Sequence, residues 1–218
     1  MSPETVHIII DDLGALLLFT MILIVAAGQI YRAIYAVAAQ SLLIAIAGAV
    51  LATSTGNRDL WVIAGITLAV KATLLPWVLH LVVQRMNVRR EVEPVIPIAA
   101  TLLLAVLIVV MSFQLSASLG TVRQAITGNA LPVGIALTLT GVLVMATRKT
   151  ALTQMVGLFA SENGIFFTAM AVTQGMPLII EIGVILDVIL AALVMTIMVL
   201  RVRTTVDADN ADLDRLRG

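Results

Sequence analysis

Apolar residues run along this chain in seven long blocks, near 8–27, 33–53, 60–82, 95–116, 130–147, 151–172 and 178–200. Each is long enough to cross a bilayer, whose hydrocarbon needs roughly 20 apolar residues in a helix. The breaks fall at polar punctuation. Gly28-Gln29 and Tyr31-Arg32 end the first block, residues 54–59 (STGNRD) the second, and residues 85–94 (RMNVRREVEP) the third. Thr127-Gly128-Asn129 precedes the fifth block, Arg148-Lys149 the sixth, and residues 174–177 (QGMP) the seventh. The pattern predicts an all-α polytopic membrane protein of about seven transmembrane helices.

Composition fits that expectation. The chain is 61% hydrophobic and 12% charged, where a soluble domain carries about 25% charged residues. No soluble domain fits in what remains, and the longest polar segment is the tail at 204–218. With no cysteine, cysteine-ligated iron–sulfur clusters, disulfides and thiol chemistry are excluded from this chain. The two histidines, His7 and His80, lie far apart in sequence, so no haem or metal site is expected in this chain alone. A secretory signal opens with a basic region, whereas this N-terminus carries Glu4, Asp11 and Asp12. The first block is therefore expected to stay in the mature protein.

Basic residues alternate between the connections. Arg32, then Arg85, Arg89 and Arg90, then Arg148 and Lys149, then Arg201 and Arg203 fall on one side; only Arg58 and Arg123 fall on the other. Positive charge marks the cytoplasmic side, so the N-terminus is expected outside and the C-terminus inside.

Against this apolar background a few ionisable residues stand out. Glu162 sits halfway along the sixth block, and Glu181 and Asp187 lie inside the seventh. A charge at the bilayer centre costs at least about 2.5–3.5 kcal/mol, which makes function its default reading. Glu162 and Asp187 each lie roughly 15–17 Å from the external turn at a rise of about 1.5 Å per residue, near the midplane. Lys71, well inside the third block, falls at the same level. A carboxyl or amino group alone in hydrocarbon goes neutral, and beside an opposite charge or water it ionises again. Groups balanced between these states can relay protons as a coupled set. The alternative is a static buried ion pair that fixes helix register.

Other residues carry weaker signals. Glu181 lies about one turn below the external surface, so it is either a proton entry or exit point or a solvated interfacial group. His80, near the cytoplasmic end of the third block, is either a relay group or an interfacial hydrogen-bonder. Pro76, five residues after Lys71, should kink its helix and free a carbonyl, with water beside Lys71 or a plain packing kink as the two consequences. Gly157, Gly164, Gly175 and Gly183 permit close helix approach. The ten methionines read as packing, and RMNVRREVEP as a solvated loop or a docking surface for a soluble partner.

The third block and its exit, KATLLPWVLHLVVQRMNVRREVEP, resemble the Lys…Pro-Trp…Arg…Glu-x-Glu-Pro pattern of component E of hydrogenase-4. That is a membrane subunit of formate hydrogenlyase-type and related group 4 [NiFe]-hydrogenase complexes. The length, the seven blocks and the SENGIFF segment around Glu162 are similar to that family across essentially the whole chain. Residues 130–203 also resemble the small K subunit of respiratory complex I, with three spans and glutamates in the second and third. Arg148-Lys149 matches its basic loop, Glu162 its first glutamate, and either Glu181 or Asp187 its second. Two features depart: Glu162 follows Gly157-Leu158 about one helical turn late, and the connection between the last two spans is shorter.

The resemblance implies a four-helix extension at 1–129, a K-like unit at 130–203 and a polar cytoplasmic tail at 204–218. It implies a multi-pass subunit in a prokaryotic cytoplasmic (inner) membrane, within a hetero-oligomeric complex. Antiporter-like subunits and a peripheral hydrogenase-like arm would be its partners, with lipid around it and no nucleic acid. Iron–sulfur clusters and a NiFe centre would sit in partner subunits, and this chain would hold no cofactor and no catalytic activity of its own. Lys71, Glu162, Asp187, Glu181 and His80 would then serve proton or sodium movement. Two alternatives are a structural adaptor between antiporter-like and redox modules, and a stand-alone transporter or subunit of an Mrp-type cation/proton antiporter. Many such transporters carry inverted repeats, and no clear internal repeat is visible.

Overall fold

The first helix, α1, spans Pro3–Ala26. It begins several residues before the apolar block, because Ser2-Pro3-Glu4 is a helix start in itself. The Ser2 hydroxyl accepts from the Thr5 N–H, Pro3 has no amide hydrogen to leave unpaired, and Glu4 faces the positive end of the helix dipole. In this computed structural model the described residues are 2–85, 94–118, 129–173 and residue 183. The seventh block lies outside the described residues except for Gly183.

α2 spans Ile30–Thr55 and stops at Gly56, whose φ of 69° is the left-handed conformation that glycine takes at no steric cost. Its amide donates to Ala52 O and closes the last turn. The third span is continuous but changes register. α3 covers Arg58–Ile66, a π-helical stretch covers Thr67–Leu74, and α4 covers Leu75–Arg85. α5 spans Ile98–Ser118, α6 Ala130–Thr147 and α7 Ala151–Thr173.

The described residues form no sheet; Pro94 makes an isolated bridge to Arg148, and Val95 N–H donates to Thr147 O. Among the described residues five helical segments are long and apolar enough to cross a membrane: Glu4–Ala26, Ile30–Thr55, Arg58–Gln84, Ile98–Ser118 and Ala130–Thr147. α7 has the length, but Gln154, Ser161, Glu162 and Asn163 make it more polar.

α6 and α7 form the tightest pair, and glycine explains it. A Cβ at Gly141 would lie 2.5 Å from the Ser161 nitrogen, and one at Gly164 2.6 Å from the Thr138 nitrogen. Gly134 faces Gly164 and Gly141 faces Gly157, an antiparallel pairing in which the two backbones touch. With that edge of α7 committed to α6, a second edge bearing Phe159, Glu162, Asn163, Phe166 and Met170 is free to meet other helices. Its i, i+3, i+4, i+7 spacing marks one helix face. α7 packs on α2 and α6 on α1, while α5 lies against α6 and α1. Most of α5 is exposed apolar surface, Leu103, Val106, Leu107 and Met111 among it.

Two contacts fix α1 beside α6 and parallel to it. Asp11 accepts from the Asn129 N–H at 2.6 Å, at the start of α6. At the other end Arg148, which follows the last residue of α6, donates through Nη2 to Val25 O at 2.6 Å. A cation at the last turn of α1 meets carbonyls that the helix leaves unpaired.

Candidate functional site

The structure brings Lys71 and Glu162 together. Their Nζ and Oε2 atoms are 3.3 Å apart, with side chains only 5% and 9% exposed. The lysine comes from the π-helical stretch of the third span and the glutamate from the middle of α7. Lys71 Nζ also lies 5.2 Å from the centre of the Phe166 ring, one turn beyond Glu162 on the same face. The electron-rich face of that ring is a second favourable surface for the ammonium group.

Local winding sets the position of Lys71. Thr67, Lys71, Leu75 and Leu79 recur every four residues and are all buried. In a regular α-helix a four-residue step drifts about 40° around the axis. The wider π register over Thr67–Leu74, in which Leu75 N–H donates to Val70 O, takes up part of that drift. It also sits directly before Pro76, which has no N–H to give a regular ladder. A change of winding thus lies just upstream of Pro76, the residue at which a kink is expected, with Lys71 inside it.

The residue next to Glu162 makes a second polar contact. Asn163 donates through Nδ2 to Gln40 Oε1 at 3.2 Å and to Ser41 Oγ at 3.1 Å, and all three residues are fully buried. Gln40 in turn directs its Nε2 at the Met21 sulfur, 3.9 Å away in α1. Neighbouring residues on one face of α7 thus hold two different helices, Glu162 the third span and Asn163 α2.

His80 is not part of this cluster. It is half-buried, with its ring tilted at 54° to that of Tyr31 and ring centres 5.0 Å apart, farther from Tyr35 at 6.3 Å, and its Nε2 is 2.9 Å from Gln84 Nε2. Glu181 and Asp187 lie outside the described residues. Gly183 reaches the site, since a Cβ there would lie 3.9 Å from Glu162 Oε1 and 3.8 Å from the Phe166 ring. Among the described residues no group of three histidine or carboxylate side chains comes together to hold a metal.

Sequence reasoning missed Asn163, Gln40 and Ser41. Their signal was present: Gln40-Ser41 is a polar pair inside the second apolar block, and Asn163 adjoins Glu162. Arg148 was read only as a loop cation. It is 3% exposed, and its burial pushes the guanidinium pKa below the ordinary arginine value.

Among the described residues, these features define an all-helical protein with helices suited to a membrane and an ion pair buried between them. The chain is 30% identical to a protein of Mycobacterium tuberculosis, "Uncharacterized protein Rv0085", over 218 residues, which is 100% of this chain and 98% of that protein. It belongs to the same family as that protein. No family model matches the chain, and no solved structure matches it.

Proposed function

We propose that this chain is a multi-pass inner-membrane subunit of a hydrogenase- or complex-I-like redox complex, and that Lys71 and Glu162 carry protons (or sodium-coupled charge) within it. The observation that carries the reading is the buried Lys71–Glu162 pair, set at a π-helical register change inside a long apolar span. Buried charge in apolar helices is costly to maintain, and π-helical turns recur at functional sites. The likeness of KATLLPW…REVEP and SENGIFF to hydrogenase-4 component E supplies the type of complex. Seven spans with the N-terminus outside and the C-terminus in the cytoplasm complete the proposed topology. His80 would serve one end of the path, with Glu181 or Asp187 contributing from the last span. Redox cofactors would belong to partner chains.

Glu162→Gln tests the proposal. In the purified complex it should abolish coupled proton uptake while the peripheral arm still turns over with artificial acceptors. Intact coupling in that variant removes the relay role.

The hydrogen bonds from Asn163 to Gln40 and Ser41 favour a second reading. On it the whole polar face of α7 is a structural clasp within an adaptor subunit. Loss of complex assembly in Lys71→Ala, rather than loss of coupling in an assembled complex, would select that reading.

A further inference from the structure

A trough of about 240 Å³ runs between α1 and α5 and shares no residue with the ion pair. Leu18, Met21 and Val25 line one wall, and Leu102, Ala105 and Val109 the other. Both sets follow i, i+3, i+7 spacing, which is one face of a helix each. Thr140 of α6, almost fully buried, is the polar residue among those lining it. From Leu102 to Val110 the α5 wall rises about 12 Å, at about 1.5 Å per residue. An apolar cavity of about 150 Å³ holds the six carbons of benzene, so this trough holds on the order of nine or ten carbons. An extended chain of that many carbons is close to the length of the wall. Val106 and Val110 on its rim are exposed, so a chain can enter sideways from a bilayer.

One end of the trough is fixed beside positive charge. Val25 is the lining residue nearest the end of α1, and its carbonyl accepts from Arg148 Nη2 at 2.6 Å. On the other wall, Leu102 stands two turns from Val95, whose N–H donates to Thr147 O. Both walls therefore run toward Arg148-Lys149. Arg148 is almost fully buried, its Nη1 has no hydrogen-bond partner, and among the described residues no carboxylate pairs with it. A buried cation without a counter-charge favours an anion beside it, and the exposed Lys149 adds a second positive charge.

We propose that an anionic phospholipid, of the phosphatidylglycerol type, occupies this trough, with one acyl chain between α1 and α5 and its phosphate held by Arg148 and Lys149. Left empty, the trough would forfeit dispersion contacts along both walls, and a hydrocarbon chain restores them. Basic groups at the cytoplasmic ends of membrane helices recognise anionic headgroups. The site rests on the chain spanning a membrane and is independent of the proton-carrying role.

Full-length protein in liposomes tests it, with a trace of phosphatidylglycerol carrying a diazirine midway along one acyl chain. After photolysis, peptide mass spectrometry maps the adducts. Lipid that merely surrounds the protein labels α5 in order of exposure, most of all at Leu103, which is 73% exposed. A held chain labels Ala105, only 5% exposed, and Val109 above Leu103. Unlabelled phosphatidylglycerol should displace those adducts better than phosphatidylcholine, and Lys149→Gln should narrow the difference. Ala105→Phe, which fills the trough, should lose them and keep the Leu103 adducts, showing that α5 is still in place. Labelling that follows exposure, equal displacement by the two lipids, or protein–protein adducts at Ala105 and Val109 in place of lipid adducts overturns the proposal. No readout involves proton movement, so failure of the lipid site is distinct from failure of the coupling role.

Discussion

Glu162→Gln should destabilise the fold by more than the loss of an ordinary contact. Lys71 Nζ and Glu162 Oε2 are 3.3 Å apart and almost fully buried. At that separation and an effective dielectric of about 20, the Coulomb attraction is about 5 kcal/mol. Desolvation of the two ions offsets most of it, so the pair as a whole contributes little compared with two apolar side chains. Breaking it on one side is different, because the Lys71 ammonium then stays buried without its counter-charge. The expected cost for Glu162→Gln is about 3–5 kcal/mol. Removing both charges in Lys71→Met/Glu162→Leu should recover wild-type stability or exceed it. Steric trapping or denaturant titration of the full chain in bicelles measures both variants. A loss below about 1 kcal/mol in the single variant, typical of an exposed pair, would refute the buried-pair argument. So would a double variant no more stable than Glu162→Gln.

Gly141→Ala forces α6 and α7 apart and should cost about 1–3 kcal/mol. Gly65→Ala, inside α3 with open space around it, should instead leave stability unchanged or raise it by up to about 1 kcal/mol, and the same unfolding assay compares the two. Asn163→Leu strands the Gln40 amide in the core and should cost about 1–3 kcal/mol; pairing it with Gln40→Leu should return part of that loss, whereas additive losses would show that the two side chains are uncoupled. The absence of cysteine makes topology simple to test. A cysteine at Ser2 should react with an impermeant maleimide added outside intact cells, and one at Lys149 only after the membrane is opened; equal labelling of both from outside contradicts the proposed orientation.

Much of the helical plan was legible because one signal, an unbroken apolar run, decides it. The block at 130–147 coincides with α6, and that at 151–172 falls one residue short of α7. Helix starts were less legible to hydropathy, since Ser2-Pro3-Glu4 begins α1 with residues that are not apolar. The meeting of Lys71 with Glu162 followed in part from depth, because two charges at one level in apolar helices gain by finding each other. Depth says nothing about rotation. Which face of α7 carries Glu162 is set by the glycines that commit another face to α6, and which face of the third span carries Lys71 is set by the π register before Pro76. Neither is a property of local polarity. The buried Arg148 was illegible for a similar reason: a cation between two apolar blocks reads as a loop residue until the end of α1 is placed beside it.

The central claim is that Glu162, paired with Lys71, moves protons, and the proton-to-electron ratio of the assembled complex in proteoliposomes tests it most directly. The account predicts that Glu162→Gln keeps electron transfer at the peripheral arm and loses proton uptake, and that Glu162→Asp, which retains a carboxylate, restores part of it. A Glu162→Gln complex that takes up protons at the wild-type ratio would contradict the account.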